Sequence, residues 1–219
     1  VIFGENPHSD RLRVAVFASG NGSNFQSILN AIASGFLKKT DVVLLVSNNS
    51  GAGAIQKARN HHIPAVHISR KHYASDEEVT EAILALLEEH GVNLIALAGY
   101  MKKLGARIVK RFRNRIVNIH PALLPSFGGK GMYGMHVHEA VIQSGAMESG
   151  ATVHLVDEDY DRGPIVLQQK VAVEKNDTAE SLAARVLETE HDLYPRALAL
   201  FENNQIRVVD GNLRIVGKQ

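Results

Sequence analysis

The chain has 219 residues, 45% of them hydrophobic and 21% charged, and carries a formal net charge of +1. That suits one sizeable globular domain or two closely packed halves, and the near-neutral balance exerts no pull toward nucleic acid or an anionic membrane. Cysteine is absent, which excludes disulfides and thiolate metal sites, and no apolar run approaches the ~20 residues of a membrane span, so a cytoplasmic protein is expected.

In chain order, Val1–Arg11 is polar and expected to be loose. Arg13–Ala18 is an apolar run that reads as a buried parallel strand. The turn Ser19–Asn24 (Ser-Gly-Asn-Gly-Ser-Asn) follows, and then Phe25, Ile28, Leu29 and Ile32 recur on one face of a helix. Asp41–Ser47 reads as a second strand, Asn48–Gly53 as a turn, Ala54–His61 as a short helix and Pro64–Ile68 as a third strand. Ser75 and Glu78 form a capping box ahead of a helix that Gly91 closes. Val92–Ala98 is a fourth strand, Leu104–Phe112 a helix and Arg115–Ile119 a fifth strand.

That strand stops at His120, because the residue before Pro121 is held extended. Asn118 and His120, two apart, project together, while Val117 and Ile119 point to the core. Pro121–Met135 is a long loop with four glycines, Val137–Ser144 a helix, and Gly150–Val156 and Ile165–Val173 strands joined by Asp157–Pro164. Thr178–Asn203 is a long helix with Leu182, Val186, Leu193 and Leu198 inward, and Ile206–Val209 and Leu213–Val216 form a hairpin around Asp210-Gly211-Asn212. The pattern predicts an α/β fold: a doubly wound, mostly parallel Rossmann-like sheet, with C-terminal antiparallel strands and a long helix. Ligands of such sheets sit at the carboxyl ends of the strands, where both the Gly-rich turn and His120 fall.

Each motif has a plain reading beside a functional one. Ser19–Asn24 is a strand–turn–helix junction whose N–H groups suit a phosphate, or else simply a tight turn. It lacks a third glycine, and the second strand ends in Ser47-Asn48 without a ribose-gripping acid, which disfavours a dinucleotide. Gly129-Lys130 lacks the spacing of a nucleotide-triphosphate loop. Asp157–Asp161 is a solvated turn or a cluster in which one raised pKa makes a proton carrier. His136 and His138, with His120 and His154, invite a zinc reading, but i and i+2 diverge on a helix and no metal is expected. Ser126 and Ser149 sit in no nucleophile elbow.

Taken together, Ser19–Asn24, Leu97–Met101, Asn118–Pro125, Val153–Val156 with Asp161–Pro164, and Glu188–His191 resemble the folate-dependent formyltransferases. Among these the chain is most similar to the glycinamide ribonucleotide transformylases, from about Arg13 to Phe201. The resemblance implies one formyltransferase domain over 1–219, a nucleotide-binding half at 12–120 and a half at 121–219 that completes the folate site. It implies formyl transfer from 10-formyltetrahydrofolate to glycinamide ribonucleotide, with no metal, no nucleic acid and no membrane, and leaves a homodimer open.

By the same resemblance Asn118, His120 and Asp161 are catalytic, and Asp161 keeps His120 protonated. Gly22, Ser23 and Asn24 hold the ribonucleotide phosphate, and Glu190 stands near the glycinamide amine. Met101, Lys102, Lys103, Leu104, Asn118, Val156 and Asp157 line the folate. Asp76 stands where relatives often enter the third helix with an arginine, which Arg70 or Lys71 would have to replace. Rival readings are a formyltetrahydrofolate hydrolase, which usually carries an extra N-terminal domain, and a methionyl-tRNA formyltransferase, which usually carries a C-terminal nucleic-acid-binding domain. A nucleotide-binding module without chemistry leaves Asn118, His120 and Asp161 unexplained.

Overall fold

The apolar runs become inner strands because their side chains leave water on both faces. In the computed structural model, residues 11–209 and 212–216 are described; residues 1–10 of the expected loose stretch Val1–Arg11 and the hairpin tip at Asp210 and Gly211 lie outside them, while Arg11 itself is held by an ion pair with Asp41. Gly4–Val117 and Asn118–Gln219 form two compact units. Seven strands make the main sheet in the order β3-β2-β1-β4-β5-β6-β7, where β1 is Leu12–Phe17, β2 Thr40–Ser47, β3 Ala65–His67, β4 Leu94–Leu97, β5 Ile116–His120, β6 Glu148–Leu155 and β7 Ile165–Ala172.

Within Gly4–Val117, β1 pairs in parallel with β2 and β4, and β2 in parallel with β3. Val14 to Ala18 have no solvent exposure, and neither do Leu44, Leu45, Val46, Ile95 and Ala96. The helices are α1 Ser23–Ala33, α2 Gly53–Asn60, α3 Asp76–Glu89 and α4 Ala106–Arg111. The Ser75 hydroxyl accepts from Glu78 N–H at 3.1 Å, the first half of the expected capping box, while the Glu78 carboxylate reaches past Ser75 to accept from Ala74 N–H at 2.9 Å. The fourth helix starts at Ala106 rather than the expected Leu104: a Cβ on Gly105 would lie 2.3 Å from Thr80 Oγ1, so the chain is still passing α3 there. The strand order reverses between β1 and β4, the point at which a doubly wound sheet opens a crevice.

Within Asn118–Gln219, α5 (Met135–Ser144) starts two residues before the expected Val137, and β6 and β7 are antiparallel with a register shift at Val153/His154. The 24-residue α6 (Ala179–Glu202) opens on a capping box, the Thr178 hydroxyl accepting from Ser181 N–H and the Ser181 hydroxyl from Thr178 N–H. Leu182, Val186, Leu193 and Leu198 face inward as expected, and β8 (Ile206–Val209) pairs with β9 (Asn212–Ile215) in a two-stranded sheet.

Candidate active site

His120 ends β5, 3% exposed, and Asn118 shares its face of the strand. Val117 and Ile119 are buried on the other face, so the alternation expected of this strand is present with both faces covered. The loop after Pro121 folds back on the strand's end. Its Phe127 carbonyl lies 2.8 Å from His120 Nε2, which must therefore carry a proton and donate it. Nδ1, 3.8 Å from Asp161 Oδ2, is then the nitrogen that gains or loses a proton. The same loop donates Gly129 N–H to Asp161 Oδ2 at 2.9 Å.

His154 completes the cluster. Its Nδ1 donates to the Leu155 carbonyl at 2.8 Å, and its Nε2 accepts from Asn118 Nδ2 at 3.1 Å and lies 3.5 Å from Asp161 Oδ1. One carboxamide N–H of Asn118 is thereby fixed, which sets the direction of the second. The register shift beside His154 fits the general placing of bulges next to functional sites, where they re-aim a side chain. Thr152, on the same strand face, donates its hydroxyl to Ala122 O at 2.6 Å and accepts from Leu124 N–H at 3.2 Å, pinning the start of the loop.

Burial sets the protonation states. It pushes the His120 pKa below 6.5 against the attraction of Asp161, so His120 is neutral near pH 7. The expectation that Asp161 keeps it protonated is corrected: desolvation of the imidazolium outweighs one carboxylate. Burial alone would raise the Asp161 carboxyl, but the His154 and His120 side chains beside it and the Gly129 N–H it accepts together hold it below 3.8. The acidic turn therefore does not contain a raised carboxyl at Asp161; its carboxylate stays ionised. His138, 5% exposed, is also lowered, by burial and then by its nearness to His120, and among the described residues its Nδ1 has no partner. His136 is exposed at the start of α5 beside Glu139.

Asp161 has a left-handed backbone, φ 54°, a conformation that Asp tolerates better than most residues. Gly163 lets this turn close, because a Cβ there would stand 1.9 Å from Leu155 O. Asp161 lines a cavity of about 440 Å³ with Leu124, Gly128, Tyr160, Arg162 and Ile165. Asp157, with Arg162, lines a second cavity. Glu190 sits on the buried stripe of α6 at 8% exposure, where a carboxylate needs a reason beyond packing.

Within Gly4–Val117, Gly22 caps α1 with a left-handed φ of 70°, and a Cβ on it would press to 2.8 Å from Ala54 Cβ. Ser23 and Asn24 begin the helix, so their N–H groups are among those with no partner inside it. Met101, Lys102 and Lys103 are exposed beyond β4, and Leu104 is buried. Arg70 is committed to Asp76 at 2.8 Å and to the Tyr73 and Ala74 carbonyls, so it is held locally.

The formyl transferase family pattern matches residues 12–198. The chloroplastic phosphoribosylglycinamide formyltransferase of Arabidopsis thaliana is 43% identical over 205 residues, covering 93% of this chain and 70% of that protein. The phosphoribosylglycinamide formyltransferase of Haemophilus influenzae is 36% identical and covers 94% of each chain. The chain belongs to the phosphoribosylglycinamide formyltransferase family. The glycinamide ribonucleotide transformylase 1 structure from Symbiobacterium toebii superposes with a TM-score of 0.88 at 34% identity over 95% of both chains, which fixes the fold as that of these formyltransferases.

Of the residues read from sequence, Asn118, His120 and Asp161 are gathered at one place in this formyltransferase. His154, the Phe127 carbonyl and the Gly129 N–H join them and were not assigned there. His154 was legible in principle: Thr152 and His154 repeat on β6 the two-apart polar pairing of Asn118 and His120 on β5. The loop's backbone groups leave no mark in side-chain identity.

Proposed function

We propose that the chain transfers the formyl group of 10-formyltetrahydrofolate to the amine of glycinamide ribonucleotide, giving formylglycinamide ribonucleotide and tetrahydrofolate. The observation that carries this reading is the buried grouping of neutral His120, ionised Asp161 and a carboxamide, Asn118, whose orientation His154 fixes. The names of the relatives supply the phosphoribosylglycinamide and the formyl group, and the resemblance of the sequence motifs supplies the folate.

In this reading the amine nitrogen attacks the formyl carbon, a C–N bond forms and the carbonyl oxygen takes the negative charge. The second Asn118 N–H donates to that oxygen where charge develops. The attacking amine gives up a proton, through water, to His120 Nδ1. The imidazolium then arises in step with the oxyanion, and Asp161 stabilises it. That proton passes to N10 of the folate, the C–N10 bond breaks and tetrahydrofolate leaves. Gly22, Ser23 and Asn24 hold the phosphate at the helix N-terminus, Glu190 orients the amine, and the Met101–Leu104 segment with Val156 and Asp157 contacts the folate. A hydrolase would put water in place of the amine. Tetrahydrofolate release measured with and without ribonucleotide separates the two: dependence on ribonucleotide supports transfer, and equal release in its absence refutes it.

A further inference from the structure

The sequence offers no ribose-gripping acid after β2, only Ser47-Asn48-Asn49, and the structure shows what these asparagines do. Ser19, at the carboxyl end of β1, has every polar group engaged. Its N–H donates to Gly99 O at 3.0 Å and its carbonyl accepts from Asn49 Nδ2 at 3.2 Å. Its hydroxyl donates to Asn48 Oδ1 at 2.5 Å and accepts Met101 N–H at 2.8 Å. A hydroxyl is the small group that can donate and accept at once, and alanine at this position could do neither.

These contacts bridge the place where strand order reverses, from β1 to β4. On one side Ser19 opens the turn that leads to Gly22, Ser23 and Asn24; on the other it seizes the first residue of the Met101–Leu104 segment. Tyr100, just before, packs its ring edge-on against Phe17 at 5.2 Å, so the segment is held from both sides of that residue. Asn48, where a dinucleotide-binding sheet often presents a carboxylate to ribose, is turned inward and spent on orienting the Ser19 hydroxyl.

We propose that Ser19 is a positioning residue that sets the folate-contacting Met101 segment relative to the phosphate turn, with Asn48 orienting its hydroxyl. The proposal rests on the formyl-transfer reading for the identity of the two ligands. Met101 is half exposed, so its N–H can turn to water when the hydroxyl is removed. The loss of Ser19 then costs little in folding but releases the segment.

Steady-state kinetics of Ser19→Ala, Asn48→Ala and the double variant, beside the core control Ile28→Val, test this. Ser19→Ala is expected to raise KM for 10-formyltetrahydrofolate about tenfold, the scale of one lost hydrogen bond in a binding segment. KM for the ribonucleotide should stay within about threefold, because Gly22–Asn24 keep their own backbone geometry. Asn48→Ala should act in the same direction, and the double variant should be no worse than Ser19→Ala, since both remove one linkage. Ile28→Val should lower Tm without moving either KM. An unchanged folate KM in Ser19→Ala, additive losses, or a matching KM change in Ile28→Val overturns the proposal. Tetrahydrofolate binding by calorimetry separates the two levels. Wild type that binds the folate but shows no ribonucleotide-dependent turnover refutes the formyl-transfer reading alone, and a Ser19→Ala variant that binds as tightly as wild type refutes the role of Ser19 alone.

Discussion

The His120 imidazole is buried and lowered in pKa, while the Asp161 carboxylate beside it stays ionised. In the proposed reaction such a site would acquire its positive charge only as the reaction creates a negative one, so the two groups would stabilise the transition state more than the ground state. His120→Ala or Asp161→Asn should lower kcat by about 10²–10⁴-fold, the range of positioned acid–base groups, with ribonucleotide KM within about threefold. Equal losses in kcat and in ribonucleotide binding would contradict the assigned roles. The same burial affects stability. His120 and His138 each have a folded pKa below 6.5, so the unfolded chain binds more protons in the window just under that value. Their contribution is full above pH 6.5 and is lost as pH falls through the window toward the folded values. Urea midpoints should therefore drop between pH 7.5 and pH 5.5, and His138→Phe should flatten that drop; a steeper slope in the variant would refute the account.

At the level of elements, the strands and helices were legible because their periodicities are undiluted: Val14–Ala18 and Leu44–Val46 are wholly buried runs, and α6 has its apolar stripe where the spacing puts it. Boundaries set by tertiary approach were not. Gly105 caps α4 where the chain passes close to Thr80, an approach that pattern cannot announce. Two elements carry direct tests. Gly22→Ala forces a left-handed alanine against Ala54, and should cost ~1–2 kcal/mol for the backbone before any clash. It should also raise ribonucleotide KM, because the phosphate turn must move; an unchanged KM would separate that turn from the phosphate. Thr178→Ala removes one cap of α6 and should cost ~1 kcal/mol in thermal or urea unfolding. Its kcat should stay near wild type, since Glu190 lies three turns into the helix.

For the whole molecule, the doubly wound order and the position of His120 at a strand's carboxyl end followed from alternation and from one proline. The substrate did not: phosphate, amine and folate came from family likeness, and the names of the relatives carry phosphoribosylglycinamide and the formyl group. What the sequence could not convey was how non-local backbone groups complete a site, as when Phe127 O and Gly129 N–H, from a loop marked only by its glycines, orient His120 and Asp161. Among the described residues no helix is long and apolar enough to cross a membrane. The central claim is direct transfer of one carbon between two named molecules. The most direct test supplies 10-formyltetrahydrofolate labelled with ¹³C in the formyl group together with glycinamide ribonucleotide, and follows the label by NMR. The account predicts that the label appears in the formamide of formylglycinamide ribonucleotide, in step with tetrahydrofolate release. Label released as free formate, with the ribonucleotide unlabelled, would contradict it.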